Sequence, residues 1–308
     1  MKIAILGAGA MGSLFGAKLS PLAEVWLVDP WLEHVMAMRK DGLRLTGPDG
    51  AARTVPVRAT PDPTAVGGQV DLALIFVKSH QTVEASRWAA PLLKPDGLAL
   101  TLQNGLGNLE MMAGVLGQDR VLQGVTAHGA TLLGPGQVRH AGAGPTHIAT
   151  RPDRARRVEA VQRLFERAGL ETHLAGDLDA LLWGKLIINA GINALTAILR
   201  VPNGVLVESE PATELMAAAV AEAVAVAQAK GIELPYPDPL ARVKEVARAT
   251  AANRSSMLAD VLRAAPTEID VINGAIVREG KRAGLETPLN QTLVRLVKAI
   301  EATYEQRI

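Results

Sequence analysis

The sequence predicts an α/β fold: a doubly wound parallel sheet in the first half, followed by an all-α second half. Three observations predict it. Short apolar runs alternate with helical stretches through the first half. A glycine-rich turn, Gly7-Ala8-Gly9-Ala10-Met11-Gly12, joins the first strand-like run to the first helical one. From Asp177 onward, nearly all apolar residues recur at helical spacing.

The elements follow in order. Lys2-Ile3-Ala4-Ile5-Leu6 is the opening strand, and further strands are predicted over 24–28, 71–77, 97–102 and 120–124. Helices are predicted over 10–20, 31–40, 80–92 and 106–114. The stretch from Gly124 to Thr150 is glycine-rich with alternating residues, which predicts antiparallel strands added to the sheet edge. A helix over 153–168 and a short strand over 171–174 end this half. The second half reads as helices over 178–199, 208–230, 239–263, 266–283 and 289–304. The change of texture places a dinucleotide-binding domain at 1–174 and a helical substrate domain at 175–308.

Composition narrows the function classes. With 308 residues, 48% hydrophobic and 20% charged, the chain has the make-up of a soluble globular protein. A net charge of +1 and 3% aromatics give nucleic acid neither a basic face nor a stacking platform. The absence of cysteine excludes disulfides, thiolate metal sites and Cys nucleophiles. The six histidines show no metal spacing, so no metal site is expected. The apolar run 181–199 is long enough for a membrane span, but Lys185, Asn189 and Asn193 within it favour a soluble core helix. No secretory leader pattern precedes the first strand, and the chain reads as cytoplasmic, without a membrane partner.

The glycine turn follows a strand and opens a helix, the context a dinucleotide fingerprint requires. Its first glycine makes the turn, its second admits the pyrophosphate, and its third lets helix and strand pack closely. Asp29 ends the second strand, where a carboxylate accepts from ribose hydroxyls and repels a 2′-phosphate, favouring NAD(H). Asp29-Pro30 also suits the start of a helix, and the two roles are compatible.

Later strand ends carry Lys78 and Gln103-Asn104-Gly105. Ligands of such sheets bind outside these ends. Lys78 is thus either an anion contact or a solvated lysine, and Asn104 either orients a ligand or starts an Asn-Gly turn.

In the helical half, Lys185, Asn189, Asn193 and Thr196 share one face of an apolar helix. A charge there must face a partner or a cavity, because burying it alone costs roughly several kcal/mol. Desolvation lowers a lysine's pKa and suits it to proton transfer near neutrality. Asn253-Arg254-Ser255-Ser256 offers donors for a carboxylate, or a plain helix cap. Glu268 and Asp270 either offset a helix dipole in a first turn, or Glu268 meets Lys185 or a substrate hydroxyl. The alanine-rich helix 211–230 fits packing inside the domain or across a homodimer.

Taken in order and spacing, these motifs resemble the ketopantoate reductases (2-dehydropantoate 2-reductases) nearly end to end. The matching pieces run from Gly7–Gly12 through Lys78, Gln103-Asn104-Gly105, Gly124–His128 and Gly144–Ile148. They continue with Trp183-Gly184-Lys185-Leu186, Asn189, Asn193, Pro202-Asn203-Gly204, Ser255–Asp260 and Thr267–Asp270.

The resemblance implies a Rossmann domain followed by a helical domain like that of 6-phosphogluconate dehydrogenases, with the site in the cleft between them. It implies NADPH-dependent reduction of 2-dehydropantoate to (R)-pantoate in pantothenate and coenzyme A biosynthesis. Lys185 matches the family's proton donor; Asn189, Asn193, Asn203, Asn253 and Ser256 match substrate-binding positions. Asn104, Ala130 and Glu268 match residues at the nicotinamide end, and Lys78 matches a lysine at the cofactor–substrate junction. Some members carry an arginine near the end of the second strand to hold a 2′-phosphate. This chain has Asp29 in that neighbourhood, so NADP(H) follows from the resemblance and NAD(H) from the residue. Two other readings are a related reductase of another small 2-oxo or 3-hydroxy acid, and a non-catalytic dinucleotide sensor.

Overall fold

In the computed structural model, which describes residues 1–306, the chain divides into two units. The first comprises residues 1–103 and 108–178, and the second residues 104–107 and 179 onward. The division thus falls after Leu178, four residues beyond the expected 174, because the last strand runs to Ala175 and the next helix begins only at Asp179.

The first unit opens with β1 (Lys2–Leu6), whose residues from Ile3 to Leu6 have no solvent exposure. A strand covered on both faces reads as a continuous apolar run rather than an alternating one. It is followed by α1 (Ala10–Leu19), β2 (Glu24–Val28), α2 (Leu32–Asp41), β3 (Leu43–Thr46), β4 (Ala52–Val55) and β5 (Arg58–Thr60). Next come β6 (Val70–Ile75), α3 (Thr82–Ala89), β7 (Leu93–Thr101), α4 (Asn108–Leu116) and β8 (Val121–Thr126). The unit closes with β9 (Gly129–Gly134), β10 (Gln137–Gly142), β11 (Thr146–Ala149), α5 (Ala155–Arg167) and β12 (Thr172–Ala175).

The main sheet has eight strands in the order β12-β11-β8-β7-β6-β1-β2-β5. All its pairs are parallel except β8 with β11. From β1 the chain winds outward through β2 and then returns to β6 on the other side. The switch point lies at the carboxyl end of β1, directly beside the glycine turn, where ligands of such sheets bind.

The antiparallel additions are only partly as expected. β11 joins the main sheet, but β9 and β10 leave it. They form a second, four-stranded sheet, β4-β3-β10-β9, with the hairpin β3–β4. The sequence predicts no strand directly after the helix 31–40. Leu43, Leu45 and Val55 are nevertheless buried there, where β3 pairs with β10 on one side and with β4 on the other.

In the second unit, α6 (Asp179–Leu199) is the central helix. Around it stand α7 (Val205–Glu208), α8 (Glu210–Ala229), α9 (Pro239–Ala249), α10 (Ser256–Leu262), α11 (Asn273–Ala283) and α12 (Pro288–Ala302). A Cβ on Gly191 would come within 2.8 Å of Val220 and 3.0 Å of Val243, so glycine there sets the close packing of α6 on α8 and α9. The alanine face of α8, with Ala219, Ala223 and Ala227 buried, packs inside this unit. Among the described residues, α6 and α8 are long and apolar enough to cross a membrane, but 67% of the α6 window is buried in protein.

Two helical expectations are corrected. The stretch 239–263 is not one helix: it breaks over Thr250–Ser255, and Ser255 caps α10 by accepting from the Leu258 N–H at 3.0 Å. The stretch 266–283 is helical only from Asn273, preceded by a bend at Glu268 and a turn over 269–272. Glu268 and Asp270 therefore precede α11 instead of charging its first turn. The Asn273 amide donates to Ala190 O and Asn290 Oδ1, and that buried anchorage starts the helix later than periodicity suggests.

Candidate active site

The glycine turn is shaped from within. Gly7 has φ +95°, and a Cβ on it would meet the Val77 nitrogen at 2.7 Å. A Cβ on Gly12 would overlap the Gly7 carbonyl. Gly9 is different: a Cβ there would touch nothing within 4 Å, so the second glycine borders open space. No side chain caps the N-terminus of α1. Its first N–H groups thus present the positive end of a helix dipole to that space, which suits a pyrophosphate. Ala8, Ala10 and Met11 complete the turn, with Ala8 fully buried.

Asp29 is bound to this turn directly. Its Oδ2 accepts from the Ala8 N–H at 2.8 Å and its Oδ1 from the Trp31 N–H at 2.9 Å. A carboxylate has about four acceptor positions. Two are used here and the others are available to ribose hydroxyls. The dinucleotide's requirements and the residues present are therefore in agreement: an open glycine, an uncapped helix end and an acidic acceptor.

Lys78 follows β6 and is half-buried, and Gln103 braces the neighbouring backbone by donating to Val77 O at 2.6 Å. Ala130 lies on β9, opposite His140, in the second sheet rather than on a main-sheet strand end.

In the helical unit, Lys185, Asn189 and Asn193 line one face of α6. Lys185 retains some surface, yet burial around its ammonium lowers its pKa from 10.5 to about 8, while the Glu268 carboxylate pulls it back up. Glu268 is buried. Asn104 belongs to this unit and its Nδ2 lies 3.5 Å from Glu268 Oε2. The turn that carries Asn104 is locked by Gly105 at φ +82° and by the Leu106 N–H donating to Val271 O at 2.9 Å. Lys185, Glu268 and Asn104 thus form one group.

Asn203 and Asn253 come together through the Asn203 N–H and Asn253 O, 3.0 Å apart. Asn203 Nδ2 donates to Thr250 Oγ1, and its Oδ1 is buried with no partner among the described residues. Asn253 and Ser256 are exposed, Ser256 as the first residue of α10. Thr196, the last member of the polar stripe, is a packing residue: its hydroxyl lies 2.7 Å from that of Ser255. Among the described residues no cluster of three metal-ligating side chains occurs.

Sequence reasoning missed His34 and Ser13, which hold the Ala8 carbonyl from below. It also missed Thr250, which orients Asn203. A histidine among the apolar positions Val35 and Met38 of α2 was the one available signal for His34.

Comparison with known proteins places these features in a family. Residues 3–153 match the family Ketopantoate reductase PanE/ApbA, and residues 177–301 match its C-terminal domain. The 2-dehydropantoate 2-reductase of Halobacterium salinarum is 38% identical over 301 residues, covering 97% of this chain and 98% of that protein. A PanE/ApbA family ketopantoate reductase from Ralstonia eutropha JMP134 superposes with a TM-score of 0.90 at 36% identity, covering 99% of this chain and 100% of that one. A D-mandelate dehydrogenase bound to NADH and anilino(oxo)acetate superposes with a TM-score of 0.91 at 31% identity, covering 99% and 100%. With both halves of the chain matched in order, this protein belongs to the ketopantoate reductase PanE/ApbA family.

Proposed function

We propose that this protein reduces 2-dehydropantoate to (R)-pantoate with a reduced nicotinamide dinucleotide, as a cytoplasmic enzyme of pantothenate and coenzyme A biosynthesis. The observation that carries the reading is Lys185: an ammonium desolvated to a pKa of about 8, with the Glu268 carboxylate acting electrostatically to raise it. A group with that pKa gives up a proton readily near neutrality and regains it from water.

A reduced dinucleotide held at the glycine turn would supply the hydride for the C2 ketone. Negative charge then develops on the carbonyl oxygen. Lys185 Nζ stabilises that charge and transfers a proton to it, so the ketone becomes an alcohol and the lysine becomes a neutral amine. Glu268 keeps Lys185 protonated before the step, and Asn104 braces Glu268. Asn189, Asn193, Asn203, Asn253 and Ser256 are neutral hydrogen-bonding groups for the substrate's carboxylate and hydroxyl. Being uncharged, they add no further titrating charge beside the lysine.

The turn Gly7-Ala8-Gly9-Ala10-Met11-Gly12 would hold the pyrophosphate, and Lys78 and Ala130 would serve the cofactor's other end. Asp29 makes NADH the preferred donor, since its carboxylate repels a 2′-phosphate. The reading requires only the small-molecule substrate as a partner, with no nucleic acid or membrane; a homodimer is compatible with it.

A second reading, reduction of another small 2-oxo acid, is favoured by the close superposition on D-mandelate dehydrogenase. Steady-state assays with NADH and NADPH against 2-dehydropantoate and a panel of 2-oxo acids test both. Highest kcat/KM with 2-dehydropantoate and NADH is expected. A different 2-oxo acid at the top of the panel favours the second reading, and no turnover of any overturns both.

A further inference from the structure

Beneath the glycine turn lies a buried polar cluster that the reaction scheme does not use. His34, on α2, is fully buried, as are Ser13 and Ala8. The Gly136 N–H, in the turn between β9 and β10, donates to His34 Nδ1 at 2.8 Å. An imidazole whose Nδ1 accepts must carry its proton on Nε2. That Nε2 lies 2.9 Å from the Ala8 carbonyl oxygen and 3.1 Å from Ser13 Oγ. The Ser13 hydroxyl donates to the same carbonyl at 2.6 Å. Burial lowers the pKa of His34, which keeps the ring neutral and this tautomer in place.

The Ala8 carbonyl thus receives two donors from the core side. Peptide bonds are planar and trans, so the C=O of one residue and the N–H of the next point in opposite directions. Fixing Ala8 C=O inward therefore turns Gly9 N–H the opposite way, and Gly9 itself is exposed. The other face of Ala8 is held by Asp29, which accepts its N–H. A glycine turn is intrinsically mobile, since glycine tolerates most backbone angles. Here two donors on the Ala8 carbonyl and an acceptor on the Ala8 N–H restrain the two peptides that flank Ala8.

We propose that His34, acting with Ser13, is a positioning residue for dinucleotide binding: it orients the Ala8–Gly9 peptide so that Gly9 N–H is aimed at the pyrophosphate. This rests on the reading of the glycine turn as the dinucleotide site. Gly136 holds the ring in register, so the second sheet supports the turn through His34.

Two substitutions separate the ring's two nitrogens. His34→Gln retains an N–H donor near the position of Nε2, and His34→Asn retains an acceptor near Nδ1. Dissociation constants for NADH and NADPH are measured by nicotinamide fluorescence on the full chain, beside thermal melts. His34→Asn is expected to weaken binding about tenfold, the scale of one lost hydrogen bond to a loop that must be pre-organised, and His34→Gln to recover most of it. The loss should appear in KM for the dinucleotide more than in kcat. Unchanged affinity in His34→Asn, or no recovery in His34→Gln, overturns the proposal. Where His34→Asn fails to fold, Ser13→Ala decides: weaker binding supports the proposal and unchanged binding overturns it. A wild-type protein that binds neither dinucleotide instead overturns the reading of the turn itself, and the proposal with it.

Discussion

The Glu268 carboxylate raises the proton affinity of Lys185 against the desolvation that lowers it to about 8. Two residues far apart in the chain thus set one pKa: α6 provides the apolar surroundings and the turn before α11 provides the charge.

A pH limit on catalysis follows. Lys185 is an ammonium below about 8 and an amine above it, so kcat/KM should be level below that pH and fall as pH rises through it. The pH–rate profile tests this. Lys185→Ala should lower kcat by about 100-fold or more, the usual scale for a general acid. A profile flat far into the alkaline range, or full turnover in the alanine variant, removes Lys185 from the role.

Glu268→Gln removes the one influence that raises the lysine's pKa. Desolvation then acts unopposed, and the alkaline limb should move to lower pH. The measurement is the same profile on the variant; a limb that stays in place or moves upward contradicts the pairing.

The glycines of the turn separate folding from binding. Gly12→Ala drives a Cβ into the Gly7 carbonyl and should lower the melting temperature. Gly9→Ala meets no protein atom within 4 Å, so the variant should melt like the parent. If the turn holds the pyrophosphate as proposed, that methyl group intrudes on it, and dinucleotide affinity should fall at least tenfold, roughly the cost of one steric misfit at a phosphate. Calorimetry and fluorescence titration together distinguish the two.

Acid stability should depend on His128. Burial, His140 and Lys18 lower its pKa from 6.5 to about 4, so the folded protein holds it neutral where the unfolded chain would protonate it. The unfolded state binds more protons between those values, and stability rises with pH across that window and is lost as pH falls through it. His140, 3.0 Å away at its Nε2, shares the direction of shift. Melting temperatures from pH 4 to pH 7 should show a shallower decline in His128→Asn than in the parent.

Much of this protein is legible in its sequence because the signals are local. The strands at 2–6 and 24–28 and the helix read over 178–199, which forms from Asp179, declare themselves by periodicity. The glycine turn declares itself by context, and Lys185 by being a charge on an apolar helix. Tertiary structure decided what depends on distant partners. β3 and β4 exist because β10 pairs with β3. Helix 239–263 breaks where the Ser255 hydroxyl meets Thr196 and caps α10. Glu268 leaves helix α11 and approaches Lys185 because Asn273 is anchored to Ala190 and Asn290. His34 acquires its role only when Gly136 and Ala8 close on both of its nitrogens. Periodicity and capping act over a few residues and are written in the chain. A lysine's pKa and a peptide's orientation are set by groups that only folding brings within a few ångströms.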